Sequence, residues 1–63
     1  MFKEYDVVVA RRNINHEIKS GCEGTIVFNP ARGPKGWYLV EFFDDDKKSI
    51  DVVEVQEQDI ALL

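Results

Sequence analysis

The sequence predicts an all-β domain, five short strands bent into one small barrel, and three observations predict it. β-Branched and aromatic residues gather in short runs. Glycine, proline and charged turn signals separate those runs at near-regular spacing, and a polar stretch suited to a single 3₁₀ turn precedes the last apolar run. With 63 residues, 44% hydrophobic and 32% charged, the chain has apolar material for one core and is expected to fold as a single domain over 1–63. A domain of this size hides only about 60% of the surface its unfolded chain exposes, so its stability margin is thin.

Tyr5, Asp6, Val7, Val8, Val9 and Ala10 are expected as the first strand, because stiff β-branched side chains lose little freedom on a pleated surface. Residues 11–20 are polar apart from Ile14 and Ile18, whose spacing permits a helical turn without proving one; a structured loop with two apolar anchors is expected. Gly21, Cys22, Glu23 and Gly24 turn the chain, since glycine reaches positive φ without a Cβ clash, and deliver it into a second strand, Thr25 to Phe28. Segment 29–36 holds both prolines and two of the four glycines, cannot supply a regular ladder of backbone donors, and is expected as an exposed loop.

The run from Trp37 to Phe43 is the most hydrophobic in the chain. A period of two puts Tyr38, Val40 and Phe42 on one face, taken as core because Glu41 then points to water. After the charged turn Asp44, Asp45, Asp46, Lys47 and Lys48, a fourth strand sets Ile50, Val52 and Glu54 against Asp51, Val53 and Val55, and the pattern leaves open which set is buried. Gln56 to Ile60 fits one helical or 3₁₀ turn, and Ala61, Leu62 and Leu63 are expected to close the barrel as a fifth strand. Closure removes exposed strand edges.

Formal net charge is −4, which speaks against broad adhesion to a nucleic-acid backbone. The charge is unevenly distributed. Up to Val40 there are six basic and four acidic residues; from Glu41 onward there are two basic and eight acidic ones. One cysteine, Cys22, cannot form an intrachain disulfide, which fits a reducing cytoplasm better than secretion. No signal-like leader and no apolar run long enough to span a bilayer is present.

Gly21-Cys22-Glu23-Gly24-Thr25-Ile26-Val27 resembles the entry to the second strand in SH3-like barrels of the KOW type. Together with Tyr5 to Val9, Tyr38 to Phe42 followed by Asp44, and Asp59-Ile60-Ala61-Leu62, nearly the whole chain resembles a bacterial family of short, stand-alone, acidic proteins of unknown function. The resemblance implies an SH3-like barrel and an independent small gene, sometimes beside one read as a toxin. It carries over no functional residue. The chain departs from the family pattern in the long segment 29–36 and at Arg11 and Arg12.

No constellation of catalytic residues stands out. His16 has no patterned nucleophile or orienting third group and reads as a solvated loop histidine. Cys22 reads as small turn or core filler rather than a reactive thiol. A calcium loop starting at Asp44 would put Lys48 at a ligand position, Ser49 where glycine is needed and Val55 where glutamate belongs, so no metal site is assigned. Residues 33–36 lack the glycine spacing and the Lys-Ser or Lys-Thr ending of a phosphate loop. Trp37 and Phe43 alternate outward from Tyr38 and Phe42, and either fill a small cluster under a loop or form a contact patch. No cofactor is expected.

The first functional expectation is a non-catalytic protein binder, an immunity protein or antitoxin that neutralises a basic toxin, such as a nuclease, by covering its cleft. Asp44, Asp45, Asp46, Asp51 and Glu54 would supply charge, and Trp37 with Phe43 the apolar anchor. The alternative is a nucleic-acid or ribosome-associated module using Arg11, Arg12, Lys19, Arg32 and Lys35, a reading that leans on fold analogy. An enzyme is the least supported class, because neither a nucleophile–base pair nor a metal spacing is present.

Overall fold

The computed structural model describes residues 2–28 and 36–63. It contains β1 (Val7–Ala10), β2 (Glu23–Phe28), β3 (Trp37–Phe43), β4 (Ser49–Gln56), a 3₁₀ turn (Glu57–Asp59) and β5 (Ile60–Leu62). The five strands form one antiparallel sheet in the order β4-β3-β2-β1-β5. The expected all-β class and the turn before the last strand are both present. The expected closure is not: among the described residues the sheet ends at β4 on one side and β5 on the other. The 3₁₀ turn carries the chain across the end of the sheet, and the short β5 pairs with β1.

The sheet buries one face. Val8, Ile26, Val40 and Phe42 are wholly inaccessible, and Ala10, Tyr38, Val55 and Ile60 complete the core around them. β3 reads as the sequence predicts, with Tyr38, Val40 and Phe42 buried and the odd-numbered residues partly exposed on the other face. Ile18 reaches the core from the β1–β2 connection and Ile14 packs against it. Two asparagines shape that connection: Asn15 Oδ1 accepts the backbone N–H groups of Glu17 and Ile18, both at 2.9 Å, and Asn13 Oδ1 accepts that of Ser20 at 2.9 Å. The side chains thereby replace a ladder that the loop cannot form.

The two glycines of the turn have different duties. Gly21 adopts φ +94°, which favours glycine. Gly24 lies inside β2, where an added Cβ would sit 2.7 Å from Val40 and 2.8 Å from Phe42, so close packing excludes a side chain there. β1 begins at Val7 rather than Tyr5, because Tyr5 is held at φ 71° in a turn closed by the Asp6 N–H donating to the Lys3 carbonyl at 3.0 Å. The expected loop 29–36 lies outside the described residues except for Gly36, whose carbonyl accepts the Glu57 N–H.

β4 resolves the ambiguity of its sequence. Val53 and Val55 face inward, opposite Val40 and Tyr38, while Val52 and Glu54 lie opposite Glu41 and Leu39 on the outer face. A register irregularity between Phe42 and Phe43 shifts the pairing, and Ile50 also packs against the core. β4 is an edge strand of eight residues. Its Val52 N–H donates to Asp51 Oδ1 at 2.8 Å and its Gln56 N–H to Asp59 Oδ2 at 2.9 Å, so these edge donors are occupied by carboxylates.

Candidate docking face

Strand register places the functional candidates, because directly paired residues share a face. On the outer face Val7, Thr25, Glu41 and Val52 make one row across β1, β2, β3 and β4, while Phe28, Leu39 and Glu54 make the next across β2, β3 and β4. Trp37 sits beyond them opposite Gln56, its ring 6.1 Å from that of Phe28. Phe28 and Val52, on either side of β3, keep 44% and 47% of their surface exposed, so this face presents apolar surface to solvent. Trp37 is half-buried, and its Nε1 is covered without a hydrogen-bond partner among the described residues.

At the other end of this face lies a shallow cleft of about 750 Å³ between the β1–β2 connection and the β3–β4 turn. Phe43 and Ile50 contribute apolar surface to it, and Glu17, Glu23, Asp44, Asp45, Lys19 and Lys47 its charge. Lys47 Nζ reaches Glu23 Oε1 at 3.5 Å. The Cys22 thiol donates to the Phe43 carbonyl at 3.2 Å. Partial burial pushes its pKa up, and the nearby carboxylates of Asp45, Asp44 and Glu23 add to the shift by opposing a thiolate. The shift favours the thiol over the thiolate, against the opposing pull of the Phe43 hydrogen bond.

The predicted acidic residues divide by what their carboxylates do. Asp44 Oδ1 accepts the N–H groups of Asp46 and Lys48, both at 2.9 Å, and so organises the hairpin turn. Asp51 occupies the Val52 N–H. Asp45, Asp46 and Glu54 are exposed and make no ion pair among the described residues. Glu41 was not among the predicted site residues, yet this half-buried residue's carboxylate has neither a hydrogen bond nor an ion pair among the described residues. Its outward position was legible from alternation; its neighbours depended on the register.

Among the described residues the basic candidates Arg11, Arg12 and Lys19 do not gather into one surface. Arg12 Nε donates to Asp59 Oδ1 at 2.7 Å, and this ion pair spans β1's end and the 3₁₀ turn. The bond holds the Asp59 carboxylate below its usual range and raises Arg12. Arg11 lines a second depression beside Gln56, Glu57 and Gln58, whereas Lys19 lines the first cleft among carboxylates. Arg32 and Lys35 lie outside the described residues. His16 is exposed in the β1–β2 connection. Among the described residues no three His, Cys, Asp or Glu side chains converge to hold a metal ion, and no helix is long and apolar enough to cross a membrane.

A family model described as a domain of unknown function, DUF4926, matches residues 4–62. The chain belongs to that family. The match takes in every strand of the sheet and the 3₁₀ turn, so the DUF4926 domain and the folded unit coincide. No curated protein and no solved structure matches the chain. The DUF4926 assignment therefore brings no residue role with it, and the outer face stands on its own geometry.

Proposed function

We propose that this DUF4926 domain is a non-catalytic protein-binding module that captures a basic protein, acting as an immunity protein or antitoxin in the cytoplasm, where the unpaired Cys22 stays reduced. The single observation that carries the reading is the side-by-side placement, on one sheet face, of partly exposed apolar residues and carboxylates that have no cation of their own among the described residues. Charge complementarity of this kind speeds encounter with a positively charged cleft, and an apolar centre slows dissociation. The order β4-β3-β2-β1-β5 and the 3₁₀ turn before β5 support an SH3-like barrel as the underlying fold.

A toxin is the partner class because a small acidic domain needs no chemistry of its own to block a nuclease-type cleft built to hold phosphate. The test is co-expression and co-purification with a basic toxin encoded beside this chain. The reading expects restored growth and a complex whose association slows as ionic strength rises. Absence of both a complex and rescue overturns it. Saturable RNA binding that weakens steeply with salt would favour the nucleic-acid reading instead.

A further inference from the structure

Glu41 and Glu54 are diagonal neighbours on adjacent strands, since Glu41 pairs with Val52 and Glu54 with Leu39. Sheet geometry sets such diagonal positions about 7 Å apart, within the span of one guanidinium group. The ground between them is apolar: Leu39 and Val52 complete the square, with Phe28 and Trp37 beside it. A guanidinium set between two carboxylates gains from both charges, and the apolar ground around them takes up its aliphatic stem.

We propose that this square is the seat for an arginine of the partner, its guanidinium bridging Glu41 and Glu54 and its flanking apolar residues packing on Phe28, Leu39, Trp37 and Val52. The inference rests on the protein-binding reading and names the surface and the recognised chemistry. Two features choose the occupant. A second copy docked face to face about a two-fold axis would oppose Glu41 and Glu54 to themselves, which like charges disfavour. An added strand on β4 would have to displace the carboxylates from the Val52 and Gln56 N–H groups. A basic chain lying across the face meets neither obstacle.

The probe is a capped peptide alternating leucine and arginine, titrated into ¹⁵N-labelled protein and followed by NMR. The expected result is saturable shifts centred on Leu39, Glu41, Val52 and Glu54, with affinity about three- to tenfold weaker in E41Q/E54Q. D45N/D46N is expected to shift the affinity much less. Shifts confined to the Asp44–Asp46 turn, equal affinity in E41Q/E54Q, or a concentration-dependent dimer formed through this face each overturn the proposal. The two readings fail separately: a toxin complex that survives E41Q/E54Q unchanged removes the arginine seat and leaves the binder, whereas loss of any toxin complex with the unaltered chain removes the binder. Glu41→Gln also serves as its own folding control, since removing an unpartnered charge is expected to leave the melting temperature unchanged or raised.

Discussion

Asp59 is 5% exposed and serves two donors with one carboxylate, the Arg12 guanidinium and the Gln56 N–H. Because its folded-state pKa is lowered, chiefly by the Arg12 hydrogen bond, its contribution to stability is present above the ordinary carboxylate value near pH 4 and is lost as pH falls through the lower folded value. Asp59→Asn is expected to flatten the acid limb of a plot of urea midpoint against pH below about pH 4. Asp59→Ala is expected to cost about 1–3 kcal/mol at neutral pH, read from urea unfolding, by removing the charge-assisted bond to Arg12 and the acceptor of the Gln56 N–H. Its charge put Arg12 among the candidates for a nucleic-acid surface, and its ion pair went unread because the partner lies 47 positions away. A local pattern holds no trace of a contact that only the 3₁₀ turn's return to β1 creates.

At the level of elements, the β3–β4 hairpin separates structural from available acids. Asp44→Ala removes the acceptor for two turn N–H groups and is expected to lower stability by about 1 kcal/mol, whereas Asp45→Asn and Asp46→Asn are expected to stay within about 0.5 kcal/mol, all checked by urea unfolding. In β2, Gly24→Ala drives a methyl group against Val40 and Phe42 and is expected to cost about 1–3 kcal/mol in the same assay. The strands were readable to different degrees for a physical reason. β3 is apolar on both faces except at Glu41, and that single charge, between the turn signals at Gly36 and Asp44, was enough to give its limits and its buried side. β4 is an edge strand whose outer face carries Val52 and whose register shifts near Phe43, so apolar residues occur on both faces and periodicity could not choose. The candidate site shared that fate: Trp37 and Phe43 were legible from β3, but Glu41 and Glu54 became neighbours only once β3 and β4 were aligned.

For the molecule as a whole, 63 residues correspond to a stability of about 3–9 kcal/mol. Phe42 is completely buried in the core, and Phe42→Ala is expected to cost about 3–5 kcal/mol, between a third of that margin and all of it. Circular dichroism at 25 °C should then show a larger unfolded population, while the solvent-side variants keep a native spectrum. Gly24 and Ile18 both pack in the one buried cluster found among the described residues, so a misfit at either is felt across the core.

The carboxylates that occupy the outward N–H groups of β4 bear on abundance as well as shape. A bare border of eight residues would invite neighbouring molecules to copy it and grow into fibrils at high concentration. With the Val52 and Gln56 donors already filled, that border is a poorer template, and the protein is expected to stay dispersed at high concentration.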